Sequence, residues 1–387
     1  MTLNQEISAC DIDVPRLLAE LRQWVEIETH TSDADAVNRL ADRVQVLAEG
    51  LGLKTQRIAG TLGFGDTLIV SSGHRIVPVE KGILILAHLD TVHAAGTISE
   101  QLPWREDGNR IYGPGIYDMK SGALLALEAL KLALDCGNGP KLPVSIMYVP
   151  DEEMGSKSSR ALIEQHSGNA RYALVVEPAR DGGKIVVARK GVGMYDIKVR
   201  GRASHAGTHP HIGRSAIRKA AKIVLALEAL NDPARGITVT VGTIHGGTGR
   251  NTVPAECNML VDVRLPDAAA AKEVLGTIEN MKSSGPDISV EIRGGLNRPP
   301  FTHTAAAKSL FVHASNLAAP LGITLVGVST GGGSDGNFSA AQGVPTLDGL
   351  GADGAGAHTF DEHILRDSIA PRTALLANLL LTLDGSQ

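Results

Sequence analysis

The chain has 387 residues, a length that predicts two or three domains with a sizeable buried core. Hydrophobic residues make up 43% and charged residues 20%, a balance that excludes membrane, fibrous and disordered proteins. The net charge of -5 comes without a basic block, the three cysteines are scattered, and the first residues do not resemble a secretory leader. We therefore expect a cytoplasmic enzyme that has neither nucleic acid nor a membrane as a partner.

In the first half of the chain, helical and strand patterns alternate. Apolar residues at three- and four-residue spacing predict helices over 14–24 and 121–134. Short continuous apolar runs predict buried strands over 83–87, 144–149 and 173–176. This order predicts an α/β fold, a mostly parallel sheet with helices on both faces.

The pattern changes in the second half of the chain. Alternating apolar and polar residues predict a half-buried strand over 193–199, a helical pattern covers 215–230, and a further strand is predicted over 237–244. We predict a smaller α+β domain at residues 189–302, inserted into an α/β domain that is formed by residues 1–188 plus 303–387.

Histidine and acidic residues stand at the predicted strand ends and turns. His88 and Asp90 follow the first buried strand and share a face, because side chains alternate along an extended chain. A histidine that binds a metal commonly donates its second ring N–H to a carboxylate. Asp118 lies in the glycine-rich turn GPGIYDMKSG before a helix, where helix capping and a carboxylate in a cleft are equally supported.

Two further strand ends carry acids. Glu152 and Glu153 follow the strand over 144–149, and Glu177 follows the apolar run ALVV. The carboxyl ends of parallel strands line the ligand crevice of open α/β sheets, where neighbouring acids favour a bound cation over a solvated acidic turn. A late histidine, His358, would complete the cluster.

The cluster contains imidazole and carboxylate groups, which are typical zinc ligands, with manganese or cobalt as substitutes. Its members are His88, Asp118, Glu153, Glu177 and His358. Two divalent cations would balance three carboxylates and one bridging hydroxide. The residues therefore favour a dinuclear site of the kind used for hydrolysis.

The motifs HLD, GPGIYDMKSG, PDEEMGS and VVEP, in this order, resemble those of the co-catalytic zinc peptidases and deacylases. That family includes glutamate carboxypeptidase, aminoacylase, acetylornithine deacetylase and succinyl-diaminopimelate desuccinylase. The resemblance covers nearly the whole chain, and the glutamate carboxypeptidase type is most similar, through DEEMGS and TGGGSDGN. It implies that Asp118 bridges two metal ions, with His88 and Glu177 at one and Glu153 and His358 at the other.

The resemblance implies roles for three more residues. Asp90 orients His88, and Glu152 is the general base that deprotonates the bridging water and later protonates the leaving nitrogen. GRASHAG in the inserted domain is similar to the lid motif GxxSHAG of the family. There the histidine, here His205, reaches the active site of a partner subunit and stabilises the tetrahedral oxyanion. The family pattern thus implies a lid domain and a homodimer formed through it.

The substrate is expected to be a small molecule, a peptide or an N-acyl amino acid. Asn251 matches a substrate-binding position of the family. Arg264 and Arg298 are candidates to bind a substrate carboxylate through two parallel hydrogen bonds. For each of them, a structural ion pair is the alternative. We predict a metal-dependent amidohydrolase or metallopeptidase that releases an amino acid with a free carboxylate. That the released amino acid is glutamate is implied by the resemblance alone. A deacetylase, desuccinylase or dipeptidase of the same family is the alternative.

Two hypotheses from other classes compete with this one. GGSDG around Ser334 fits the serine nucleophile motif GxSxG, but no apolar strand leads into it and the clustered acids would be unexplained. A non-catalytic metal-binding protein is the second rival, because a fold does not guarantee activity. The presence of Glu152 favours an enzyme, since a protein without activity has no need of a base.

Overall fold

The computed structural model describes residues 6–73, 81–137 and 139–386. Part of the predicted absence of a leader rests on residues 1–5, which lie outside these ranges. The backbone forms two compact units. The first combines the residues up to Ala188 with Thr302–Ser329 and the residues from Ser334 onward, and the second comprises Arg189–Phe301 and Thr330–Gly333.

Most of the described strands are short. In chain order they are β1 (Lys54–Ile58), β2 (Thr67–Ser71), β3 (Gly82–His88), β4 (Arg105–Asp107), β5 (Arg110–Tyr112), β6 (Val144–Val149), β7 (Ala170–Val175), β8 (Ile185–Arg189), β9 (Gly191–Arg200), β10 (Ser204–His205), β11 (Thr238–Gly246), β12 (Thr252–Val253), β13 (Glu256–Leu265), β14 (Ser289–Arg298), β15 (Gly327–Thr330), β16 (Thr346–Leu347), β17 (Gly354–Ala355) and β18 (His363–Leu365).

Two of the described α-helices precede β1, one follows β18, and the others lie between strands. In chain order the helices are α1 (Val14–Glu26), α2 (Ala34–Gly50), α3 (Thr97–Glu100), α4 (Ser121–Asp135), α5 (Arg160–Gly168), α6 (Ala216–Glu228), α7 (Ala268–Glu279), α8 (Ala305–Ala318), α9 (Gly336–Ala341) and α10 (Arg366–Thr382). Among them, none is long and apolar enough to cross a membrane.

The first unit is built on a six-stranded sheet in the order β1-β2-β6-β3-β7-β16. The strands β6, β3, β7 and β16 are parallel to one another. The remaining two strands extend the β6 edge with antiparallel pairing. The predicted mostly parallel sheet is therefore confirmed.

Alternate residues of β3 enter two different hydrophobic cores. Ile83 and Ile85 pack in a core that includes residues of α1, α2, α4 and α10. Leu84 and Leu86 pack in a second core with Ile163 of α5 and with a residue of α9. Because successive side chains of a strand point to opposite faces, helices cover both faces of the sheet, and the predicted α/β fold is confirmed.

A small antiparallel sheet in the first unit has the order β17-β18-β5-β4. Its two middle strands pair with His363 opposite Tyr112. The pairing brings the turn that follows β5 close to the hairpin loop between β17 and β18. These two segments contain Asp118 and His358.

The second unit contains an antiparallel sheet in the order β11-β13-β9-β14. One face packs with α6 and α7 around buried residues such as Met259 and Val261 of β13. On β13 the side chain between these two, Leu260, is 52% exposed. A sheet with one packed face gives this alternation, which is the pattern of an α+β unit.

Candidate metal centre

Three adjacent parallel strands of the first unit end in histidine or acidic residues. His88 is the last residue of β3. Glu152 and Glu153 form a helical turn shortly after β6, and Glu177 lies two residues beyond β7. Because β6, β3 and β7 are parallel neighbours, their carboxyl ends meet at one edge of the sheet, where ligands bind in open α/β folds.

Asp118 lies in the turn Ile116–Lys120, and the Asp118–Met119 peptide bond is cis. At Gly115 φ is +69°, and a Cβ atom there would lie 2.3 Å from Cγ2 of Thr91, so the turn requires glycine. The N-terminus of α4 has no side-chain cap. Asp118 therefore does not cap this helix, and its carboxylate is available to the strand ends.

His358 lies in the loop between β17 and β18, with φ at +64° in the left-handed region. Few non-glycine residues adopt this conformation, and histidine is among the more tolerant of them. A hydrogen bond of 3.0 Å from the Thr359 N–H to the Gly356 carbonyl closes the turn around it. The half-exposed imidazole faces the carboxylates of Asp118 and Glu153.

The carboxylate of Asp118 lies between two imidazoles. Its Oδ1 atom is 3.2 Å from Nε2 of His88, and its Oδ2 atom is 3.5 Å from Nε2 of His358. Glu177 lies on the His88 side, with 3.9 Å between Oε1 and Nε2. Glu153 lies on the other side, with 3.1 Å between its Oε2 atom and Nε2 of His358. Such an arrangement allows one carboxylate to bridge two cations.

Asp90 is fully buried and connects two strand ends. Its Oδ1 atom accepts the main-chain N–H of Glu152 and its Oδ2 atom that of Glu153, each at 3.2 Å. The hydroxyl of Thr31 donates to Oδ2 at 2.7 Å. The Nδ1 atom of His88 lies 2.8 Å from the main-chain oxygen of Asp90 and 3.5 Å from its carboxylate. The main chain of Asp90 thus orients the imidazole, and its side chain positions the Glu152–Glu153 turn.

The cluster carries protons when no cation is bound. Burial disfavours a charged His88, but Asp118, Asp90 and Glu177 outweigh burial and raise the pKa of His88 well above its ordinary value. Hydrogen bonds to Asp118 and Glu153 raise the pKa of His358 to about 10. Burial opposes ionisation of Asp118, but hydrogen bonds to the two imidazoles outweigh it and lower the pKa of Asp118. The carboxylates therefore favour a positive charge in their midst.

One carboxylate oxygen of the cluster is able to accept a further hydrogen bond or to bind a metal ion. Oε1 of Glu153 is buried and has no hydrogen-bond partner among the residues that the structure describes. Burial also raises the pKa of this carboxyl group. A buried carboxylate oxygen without a partner is costly, and a metal ion would satisfy it. This orphaned oxygen and the imidazole–carboxylate donor set fit zinc, manganese or cobalt.

Two sets of three side chains have ligand atoms that all lie within 4.8 Å of one another in the described part of the chain. One set is His88, Asp118 and Glu153, and the other is His88, Glu152 and Glu177. The second set contains Glu152, which the sequence analysis assigns as a base. Glu152 therefore lies within reach of the same space as the expected ligands.

Two of the predicted site residues belong to the second unit, where His205 is the last residue of β10 and Asn251 directly precedes β12. His205 is exposed, and its Nδ1 atom accepts the N–H groups of Gly207 at 3.2 Å and Thr208 at 3.0 Å. The main-chain oxygen of Asn251 accepts the N–H of Ala206 at 2.9 Å, which ties this residue to the segment that follows His205. In the neutral imidazole the proton is then on Nε2, which is free to act as a donor.

The two arginines that are predicted to bind a substrate carboxylate also lie in the second unit. Arg264 forms a two-pronged ion pair with Asp262, at 2.8 Å for each of two N···O contacts. The structural ion pair that the sequence left open is thus present for Arg264. Arg298 is 4% exposed and packs against Gly333, where a Cβ atom would lie 2.6 Å from its Cδ atom. A substrate carboxylate would have to replace Asp262 at Arg264 or reach a buried Arg298.

Ser334 does not have the environment of a catalytic nucleophile. It is fully buried, and its Oγ atom donates to Oδ2 of Asp348 at 2.5 Å. Oγ also accepts the N–H of Gly336 at 3.1 Å. The hydroxyl is therefore part of the internal structure of a turn, and a nucleophilic serine has to reach a substrate.

Two further residues beside the site, Glu362 and His93, belong to none of the predicted motifs. Glu362 is buried and accepts the main-chain N–H groups of Gly115, Tyr117 and Asp118, each at 2.9 Å. Nε2 of His93 lies 2.6 Å from its Oε2 atom. A carboxylate four residues after His358 was visible in the sequence, but its partners are main-chain groups that no motif reveals.

The chain is similar to known proteins in sequence and in fold. The sequence model described as Peptidase family M20/M25/M40 matches residues 84–382. Carboxypeptidase G2 of Pseudomonas sp. (strain RS-16) is 29% identical over 383 residues, which are 98% of this chain and 91% of that protein. Acetylornithine deacetylase of Myxococcus xanthus is 28% identical over 263 residues, 65% of this chain and 67% of that protein. A tripeptidase structure from Staphylococcus aureus has the same fold, with a TM-score of 0.78 at 21% identity over 97% of this chain and 100% of that one.

Proposed function

The chain belongs to peptidase family M20/M25/M40 and is a metal-dependent hydrolase, and we propose that it cleaves an amide bond with two zinc ions held at the strand ends of the first unit. The position of Asp118 between His88 and His358 carries this proposal. Two cations that share one carboxylate are a common arrangement for hydrolysis. Manganese or cobalt would suit the same ligands.

The proposed ligands divide into two groups around Asp118. His88 and Glu177 would hold one cation, and Glu153 and His358 the other. When bound, the two cations polarise the scissile carbonyl and lower the pKa of the attacking water. The buried Oε1 of Glu153, which has no hydrogen-bond partner in the described part of the chain, supports this assignment, because coordination would satisfy it.

Glu152 is proposed as the general base. Its main-chain N–H is held by Asp90, and its carboxylate lies within reach of the space between His88 and Glu177. It would take a proton from the attacking water and deliver it to the leaving nitrogen. Asp90 is a positioning residue in this scheme, since it fixes the turn that bears Glu152.

His205 is proposed to stabilise the oxyanion from the second unit, which would act as a lid and as the interface of a homodimer. The lid motif and the free Nε2 donor of His205 support this role. Asn251, Arg264 and Arg298 are proposed to contact the substrate, with an arginine binding its carboxylate. For Arg264, binding would compete with the ion pair to Asp262.

The proposed substrate is a peptide or N-acyl amino acid whose released amino acid bears a free carboxylate. The similarity to carboxypeptidase G2 supports a carboxypeptidase, and glutamate is the proposed product. The similarity to acetylornithine deacetylase keeps an N-acyl amino acid amidohydrolase as the second candidate, with the same chemistry. We propose a cytoplasmic location, which the composition of the chain supports.

An assay with a matched substrate panel tests the substrate class. N-acyl-glutamates, the corresponding amides in which the α-carboxylate is blocked, and N-acylated amino acids of other side chains would be compared by release of free amine. The proposal predicts hydrolysis that requires the free carboxylate. Equal rates on the blocked amides would contradict a carboxylate-directed enzyme.

A further inference from the structure

The buried carboxylate of Glu362, in the first unit, has hydrogen-bond partners at both of its oxygens. Oε1 accepts the main-chain N–H groups of Tyr117 and Asp118, each at 2.9 Å. Oε2 accepts that of Gly115 at 2.9 Å and lies 2.6 Å from Nε2 of His93. The side chain is 1% exposed. Both oxygens of one carboxylate therefore hold the turn that bears Asp118.

Glu362 itself belongs to a different segment of the chain. It lies between β17 and β18, in the loop that contains His358, and its N–H donates to the carbonyl of Thr359 at 3.4 Å. Its main-chain oxygen accepts the N–H of Gly113 at 3.4 Å. Main chain and side chain of one residue thus join the Asp118 turn to the His358 loop.

We propose that Glu362, supported by His93, is a positioning residue that sets the separation of Asp118 and His358. Through this separation it would set the affinity and geometry of the second cation, the one assigned to Glu153 and His358. The inference rests on the proposed two-metal function. Glu362 contacts no proposed ligand side chain, and it acts through the main chain of Asp118. Mutation of residues that orient metal ligands typically lowers metal affinity or activity by about 10–100-fold.

The charge and the shape of the carboxylate both matter to this role. Hydrogen bonds from N–H groups to a carboxylate are about twice as strong as those to a neutral acceptor. Glutamine in place of Glu362 would keep one acceptor oxygen and turn an NH2 group toward either Gly115 or the Tyr117–Asp118 pair. At least one of these N–H groups would then face a donor, and the turn would move.

Glu28 provides a matched control. Its two carboxylate oxygens accept the N–H groups of Gly96 at 2.7 Å and Ile98 at 2.9 Å, so it also holds a turn of the first unit through main-chain groups. That turn carries no proposed ligand. A purely structural contribution would appear in Glu28→Gln as well as in Glu362→Gln.

The test is a titration of the metal-free full-length protein and both variants with cobalt(II), followed by calorimetry and by visible absorption. We expect Glu362→Gln to bind the second cobalt ion ~10–100-fold more weakly, with a changed absorption band. Glu28→Gln should show the parent affinity and spectrum. Parent-like binding and spectrum in Glu362→Gln, or an equal loss in both variants, would overturn the inference.

His93→Gln extends the test if Glu362→Gln does not fold. This variant keeps the three main-chain hydrogen bonds of Glu362 and removes only the imidazole, so we expect a smaller loss of affinity and a perturbed spectrum. An unchanged spectrum and affinity would count against the inference. If the parent protein binds no cobalt, the proposed function fails, and the inference fails with it.

Discussion

The carboxylate of Asp90 accepts the main-chain N–H of Glu152 at 3.2 Å. These two residues follow different strands, β3 and β6, so the contact ties together two neighbouring strand ends. The same aspartate orients His88 through its main-chain oxygen. The proposed base and the proposed ligand are therefore fixed relative to each other by one buried residue.

Replacement of Glu152 by glutamine should abolish turnover and leave two metal ions bound. The amide cannot accept a proton from water, but it keeps the size of the side chain. Metal content and turnover would be measured on the same sample, with Glu164→Gln as the control, because the partly exposed Glu164 of α5 pairs with Arg160 and has no proposed role in the site. Because Glu152 lies within reach of His88 and Glu177, a loss of metal in this variant would instead identify it as a ligand.

Replacement of His205 by alanine should lower kcat by ~10²–10³-fold, the usual effect of removing one oxyanion donor. The metal content should not change, because His205 belongs to the second unit and no metal role is proposed for it. His211, an exposed histidine of the same unit, provides the control, and His211→Ala should retain the parent rate. Equal rates for the two variants would remove His205 from the mechanism.

The affinity for metal should rise with pH. Hydrogen bonds to Asp118 and Glu153 raise the pKa of His358 to about 10 in the metal-free protein, whereas a ligand imidazole must be neutral. Binding below that pH therefore releases a proton. Calorimetry in two buffers with different ionisation heats would detect it, and a binding heat that is independent of the buffer would contradict the proposed ligand.

The free energy of unfolding of the metal-free protein should fall as the pH rises, whereas the affinity for metal should increase. A histidine whose pKa is raised in the folded state stabilises that state fully below its unfolded pKa, near 6.5. The contribution is lost as the pH rises through about 10. Denaturant unfolding of the metal-free protein and of metal-free His358→Gln would be measured at several pH values. The variant should lack the pH-dependent contribution of His358 to the free energy of unfolding.

Replacement of Gly122 by alanine should destabilise the first unit and impair the site. A Cβ atom at this position would lie 1.9 Å from the main-chain oxygen of Val176, beside Glu177. We expect the free energy of unfolding to fall by about 1–3 kcal/mol, as in other overpacked positions. Gly276 of α7 is the control, because no atom of the described residues lies within 4 Å of its Cβ position, and there alanine should stabilise by up to ~1 kcal/mol.

The sequence predicts the strand-end cluster well for a physical reason. Continuous apolar runs mark β3, β6 and β7, and the residues that follow buried parallel strands converge at one edge of the sheet. His88, Glu153 and Glu177 are therefore identifiable without a structure. The ion pair of Arg264 with Asp262 could also have been anticipated, because residues two apart on a strand share a face.

The connections that align the cluster could not be predicted in this way. Glu362 binds main-chain N–H groups 244–247 positions away, and main-chain donors leave no trace in the sequence. The central position of β3, between β6 and β7, is likewise a property of the folded topology. The loop pairing that brings His358 to Asp118 depends on the small sheet around β5 and β18.

The metal content of the active protein decides whether amide hydrolysis depends on a dinuclear site. Protein saturated with zinc and passed into metal-free buffer would be analysed for zinc per chain, and amide hydrolysis would be measured before chelation, after it and after zinc is restored. The account predicts two zinc ions per chain, with loss and recovery of activity in step with them. One zinc ion or none in the active protein, or hydrolysis that persists after complete chelation, would contradict it.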